Sequence, residues 1–151
     1  MEINGLVEHP LPELGFDNSA TIKTSDEANS VMWLRYMLVY STPDLLHLGR
    51  AIPRAWLQDG ETTSLTRVRT HYGEVDACWT SRLADGELIF EGSLRGPQNA
   101  PKTWLRFRHP AQTPIQSVSV NGQAWQRFDA ESGDIDITGI KGSVRVVASY
   151  R

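Results

Sequence analysis

The sequence predicts a mainly β fold: an antiparallel β-sandwich of about nine short strands with a short N-terminal helix. Three observations predict it. Short alternating apolar segments recur from residue 37 onward, turn residues separate them, and the one long helix-like stretch lies near the N-terminus. The 151 residues suit one domain. A chain of this size buries roughly two-thirds of its unfolded surface, enough for a core without a metal or disulfide. Cys78 is the single cysteine, so no intrachain disulfide forms. Its place in an alternating strand beside Trp79 predicts a buried structural thiol.

The elements follow in order. His9-Pro10-Leu11-Pro12 marks an extended lead-in over residues 1–24, ahead of a single domain over 25–151. Ser25 precedes Asp26-Glu27, a hydroxyl that can cap free amides and acids that suit the positive helix end, so a helix is expected from 25 to about 35. Met37-Leu38-Val39-Tyr40 and Leu45-Leu46-His47-Leu48 flank Ser41-Thr42-Pro43-Asp44 as a hairpin. Pro53 opens one helical turn through Leu57. Asp59-Gly60 is a turn and Thr62 to Val68 alternates. Val75 to Thr80 and Leu88 to Gly92 flank the turn Ala84-Asp85-Gly86, while Gly92 to Gly96 is expected to be a turn and strand end. Pro97 to Pro101 reads as a loop. Trp104 to Arg108 alternates as a strand with one wet face. Val118-Ser119-Val120 and Ala124-Trp125 are joined by Asn121-Gly122, the preferred pair where both turn residues need positive φ. Ile135 to Ile137 and Val144 to Ala148 supply the last strands.

Fifteen basic against eighteen acidic side chains give a net charge of −3, which argues against nucleic acid or an anionic membrane as partner. No segment approaches the ~20 apolar residues of a membrane span. Met1-Glu2-Ile3-Asn4-Gly5 has neither the basic region nor the apolar stretch of a signal peptide.

Several strings resemble the C-terminal β-domain of bacterial six-hairpin glycoside hydrolases, where it follows an (α/α)6 barrel. They are Leu34-Arg35-Tyr36-Met37-Leu38-Val39, then His47-Leu48-Gly49-Arg50-Ala51-Ile52-Pro53-Arg54-Ala55-Trp56-Leu57, then Thr70-His71-Tyr72-Gly73-Glu74-Val75. Leu105-Arg106-Phe107-Arg108-His109-Pro110 and Pro114 to Gly122 continue the order, so the resemblance spans residues 30–151. It implies an accessory domain of a carbohydrate-active enzyme, with a carbohydrate or a parent barrel as partner and a periplasmic or secreted location. In that family the catalytic carboxylates lie on the barrel, so no active site transfers to this chain. Trp56 and Arg54 are then expected at an interdomain face, beside an exposed apolar patch over residues 28–40. No cofactor is implied.

Four kinds of residue are candidates for chemistry. Glycoside hydrolysis needs two carboxylates about 5 to 9.5 Å apart. Glu74 with Asp76, and Glu87 with Glu91, have the even spacing that puts both on one strand face. The same pattern also describes a solvated strand face. None of His9, His47, His71 and His109 stands at metal-ligand spacing from another His or Cys, so no metal site is expected. Five tryptophans are the third kind. An exposed indole stacks on the apolar face of a sugar while polar neighbours bond its hydroxyls. Trp125 and Trp104, with Arg106 and Gln123, are the expected carbohydrate-binding residues. Arg67 and Arg69, with the group Arg54, Arg106 and Arg108, offer a positive patch for acidic glycans, or equally pair with Asp59, Glu61 and Glu74 across strands.

Overall fold

A computed structural model describes residues 24–95 and 100–151, with side chains from residue 28 onward. The expected lead-in through residue 23, and most of the expected loop at 97–101, lie outside the described residues. The chain divides into two compact units, Met1–Arg35 and Tyr36–Arg151. The described part of the first belongs to helix α1, Thr24–Leu38. It begins one residue earlier and ends three later than the sequence predicts. Val31, Met32, Trp33 and Leu34 are all exposed on it, Trp33 by 61%.

Among the described residues, the second unit holds ten strands: β1 Val39–Thr42, β2 Leu45–Leu48, β3 Thr62–Thr70, β4 Gly73–Arg82, β5 Glu87–Arg95, β6 Thr103–Arg106, β7 Ser117–Val120, β8 Gln123–Trp125, β9 Asp134–Asp136 and β10 Gly142–Ser149. They make a four-stranded sheet, β1-β2-β6-β9, and a six-stranded sheet, β3-β4-β5-β10-β7-β8. This is the mainly β, sandwich-type fold that the turn spacing predicts. One pairing departs from an all-antiparallel sandwich: β2 and β6 run parallel, with Leu46 opposite Thr103 and Leu48 opposite Leu105. The chain leaves β2, builds β3, β4 and β5 of the other sheet, and returns to place β6 in the same direction.

The core follows from alternation. Val75, Ala77 and Trp79 of β4 are buried while Asp76 and Cys78 between them are not. Trp79 stands opposite Phe90 of β5, their ring centroids 5.2 Å apart, and both are fully buried. Val118, Val120, Val144, Val146 and Ala148 extend the inner face of the larger sheet; Leu46, Leu48, Leu105 and Ile135 supply that of the smaller. Cys78, expected buried, is half-exposed because its neighbours Ala77 and Trp79 take the inward positions.

Two further expectations change. Residues 92–95 are not a turn but the end of β5, paired on one side with β4 and on the other with β10. In β3 the register slips between Leu65 and Val68, where Arg67 takes φ of 52° and its N–H bonds Asp76 Oδ1 at 2.7 Å. The carboxylate singled out as a catalytic candidate thus holds a β-bulge.

Turns match their residues. Asn121 and Gly122 have φ of 49° and 79°, the two positive values of the expected hairpin turn. Gly133, at φ of 75°, lies so close to the residue after β6 that an added Cβ would sit 2.1 Å from the Phe107 carbonyl oxygen. At Gly122 nothing lies within 4 Å of such a Cβ. Urea denaturation should separate the two effects. Gly122→Ala is expected to cost about 1 kcal/mol, the strain of left-handed backbone alone. Gly133→Ala should cost more than about 3 kcal/mol because steric overlap is added. Equal costs would remove the role assigned to the close approach.

Candidate functional site

The outer face of the four-stranded sheet gathers the densest set of functional side chains. Register places Tyr40, His47, Trp104 and Asp136 in one row across β1, β2, β6 and β9, with Arg106 opposite Asp134 in an adjacent row. Thr103 and Leu105 point inward, so Trp104 and Arg106 share the outer face. An open groove of about 740 Å³ runs over this face, bordered by Asp44, His47, Lys102, Trp104 and Asp134. That volume lies in the range of ligand-binding clefts.

Asp134 is the electrostatic centre of the face. The Arg106 guanidinium grips it as a fork, Nε donating to Oδ1 at 2.6 Å and a terminal nitrogen donating to Oδ2. His47 Nε2 lies 3.5 Å from Oδ1, within ion-pair reach, yet the buried nitrogen makes no hydrogen bond. Burial alone would raise the Asp134 pKa. The His47 ring and the Arg106 fork outweigh it and hold the carboxyl well below the usual carboxylate range. The same fork, working against burial, raises the Arg106 pKa.

The other expected residues have other surroundings. Trp125 is half-buried against the core, its Nε1–H donates to the Asp136 carbonyl at 2.9 Å, and the Arg127 guanidinium lies 4.5 Å from its ring centroid. Gln123 is exposed on β8, an edge strand of the other sheet. Glu74 and Asp76 share the outer face of β4. Asp76 is ion-paired to Arg95 in addition to its bond to the bulge, and Glu74 borders a cavity of about 100 Å³ together with Arg95 and Lys141. Glu91 pairs with Arg145 at 3.1 Å. Trp56 lies in a 3₁₀ turn, Arg54–Leu57, and is 37% exposed. Arg54 beside it donates to the His109 carbonyl. Among the described residues, no three His, Cys, Asp or Glu side chains gather as a metal site.

Sequence reasoning named Trp104 and Arg106 but missed His47 and Asp134. The only signal for His47 was a polar residue inside the apolar run Leu45-Leu46-His47-Leu48.

The depressed Asp134 pKa has a pH consequence. A carboxyl whose pKa is lower folded than unfolded contributes stability above the unfolded value of about 4, and loses it as pH falls towards the folded value. Folding stability should therefore drop below about pH 5. Asp134→Asn should cost about 2 kcal/mol at neutral pH, the scale of a charge-assisted hydrogen bond, and flatten that acid limb. Chemical denaturation at pH 7, 5 and 3 checks both; an acid limb as steep in the variant would assign it to other carboxyls.

No protein-family model matches the chain, and no curated protein matches it. Among solved structures it is similar to a GH127 β-L-arabinofuranosidase from Geobacillus stearothermophilus T6, at 12% identity and a TM-score of 0.49, over 97% of this chain and 24% of that one. It is also similar to a protein described as a glycoside hydrolase, at 14% identity and a TM-score of 0.46, over 85% of this chain and 21% of that one. The chain spans about a quarter of the length of these structures.

Proposed function

We propose that this chain is a non-catalytic accessory domain of a bacterial carbohydrate-active enzyme, a β-sandwich that docks on an (α/α)6-barrel catalytic domain. The carrying observation is where large apolar side chains meet solvent. Val31, Met32, Trp33 and Leu34 of α1, and Tyr36 and Trp56 of the second unit, are the exposed large hydrophobics among the described residues. Exposed aromatic and aliphatic side chains of this size mark interaction surfaces. They fall within residues 28–40 and at Trp56, where the resemblance to a glycosidase C-terminal domain anticipates a barrel contact. Asp76, one half of the candidate carboxylate pair, is engaged by a bulge amide and an arginine, which supports a structural role for it.

The test uses the purified chain and a six-hairpin glycosidase from which the C-terminal β-domain has been removed. Binding is expected by titration calorimetry, and Trp56→Ser should weaken it at least about tenfold, the loss of ~1.4 kcal/mol at an aromatic anchor. The chain alone should turn over no aryl glycoside or polysaccharide. Turnover abolished by Glu74→Gln or Asp76→Asn would overturn the proposal in favour of a small hydrolase.

The groove favours a second reading, a carbohydrate-binding module. Trp104 offers an indole, and Asp44, Lys102 and Thr42 offer donors and acceptors for sugar hydroxyls around it. Native affinity electrophoresis through polysaccharide gels, with and without added salt, tests it. Salt-resistant retardation lost in Trp104→Ala would support the groove as the platform. Loss in Trp125→Ala alone would move the platform to β8, and no retardation of the wild-type chain would sink this reading.

A further inference from the structure

A second pocket, of about 110 Å³, lies elsewhere in the same unit, and its charge is unbalanced. Arg54, Arg108, His109 and Tyr150 line it, with Glu131 as the one carboxylate in its wall. Arg54 spends one N–H on the His109 carbonyl, and Arg108 donates to the Ile52 carbonyl at 3.0 Å. Each guanidinium has five N–H donors. Among the described residues neither has a carboxylate in ion-pair reach, although four arginine–carboxylate pairs form elsewhere. Burial and the nearby charges of Arg54 and Arg106 lower the Arg108 pKa, as expected of cations left without a counter-charge.

Tyr150 supplies an independent observation. It is 7% exposed, and its hydroxyl is buried with no hydrogen-bond partner. A buried hydroxyl without a partner costs on the order of 1 to 3 kcal/mol, so most such groups have one. The His109 ring lies 4.5 Å from that of Tyr150. Its Nδ1 accepts from the Ala111 N–H at 3.1 Å and the Thr113 N–H at 3.4 Å. Burial and the nearby Arg54 charge lower the ring's pKa, and with Nδ1 accepting, the ring N–H is on Nε2. The pocket lining thus carries two arginines, a tyrosine with an orphaned hydroxyl and a histidine. Its volume lies well below the roughly 300 Å³ at which clefts for larger ligands begin. It suits one small group rich in acceptors and carrying negative charge.

We propose that this pocket binds a small oxyanion, a carboxylate or sulfate group, through the Arg54 and Arg108 guanidinium groups and the Tyr150 hydroxyl. The anion can be free or can be the carboxylate of an acidic sugar; the chemistry that recognises it is the same. The proposal does not rest on barrel docking or on the Trp104 groove; it shares Arg54 with the expected interdomain face and no residue with the groove.

Thermal unfolding of the full chain, at constant ionic strength set with chloride, tests it with sodium sulfate and sodium glucuronate as probes and glucose as the neutral control. A ligand that binds only the folded state raises the midpoint in a saturable way. Sulfate or glucuronate should do so, and glucose should not. Saturation at lower glucuronate than sulfate would identify an acidic sugar as the better source, and the reverse order a free anion. Arg54→Gln should abolish the rise. Because Arg54 also supports the His109 carbonyl, Tyr150→Phe is the second variant: it removes one oxygen, retains the ring contact, and should raise the half-saturating concentration at least about fivefold. No saturable rise beyond chloride, or a rise unchanged in Tyr150→Phe and Arg54→Gln, would overturn the proposal.

Discussion

The smaller sheet depends on one carboxylate. Its strands are three or four residues long, so each pair contributes only a few backbone hydrogen bonds, and a sheet that short needs cross-links between side chains. Asp134 on β9 supplies them. The Arg106 fork ties it to β6, and His47 of β2 lies within ion-pair reach of the same Oδ1 that accepts from Arg106 Nε. The groove, the outward indole of Trp104 and the inward Leu105 all take their positions from β6, so the site inherits its rigidity from the contact that closes the sheet.

Local chemistry made much of the fold legible. Asn121-Gly122 specifies its hairpin because few other pairs accept two positive φ values in succession. Ala84-Asp85-Gly86 specifies another, since Gly86 takes the left-handed conformation at the end of a short 3₁₀ turn. The end of α1 was less legible. Tyr36-Met37-Leu38 suits the last turn of a helix and the first residues of a strand equally well, and the tertiary contacts that decide between them involve the Gly49 and Ala51 amides further along the chain. The parallel β2–β6 pair leaves no local mark, because both strands carry the same short apolar pattern whichever way they run.

The candidate site was half legible for the same reason. Alternation puts Trp104 and Arg106 on one face, and a sequence reading recovers that. It does not recover that Asp134 meets His47, because strand pairing, and not spacing, brings them together. Nor does it recover the environment of Tyr150, whose neighbours Arg54 and His109 lie on distant segments. Even spacing correctly put Glu74 and Asp76 on one face, but chemistry on that face depends on what else reaches them. For Asp76 that is the amide of Arg67, displaced by a bulge.

The place of β10 has a consequence for how the chain is made. It is the last strand among the described residues, yet it lies in the middle of the six-stranded sheet, between β5 and β7. Before it emerges from the ribosome, β3, β4 and β5 can pair as a meander and β7 and β8 as a hairpin, but the two pieces have no common partner. Native pairing of this sheet is then reached only once β10 has been made. Contacts of such large sequence separation are slow to form and leave unpaired strand edges exposed meanwhile. Until β10 is made, the facing edges of β5 and β7 stay unpaired.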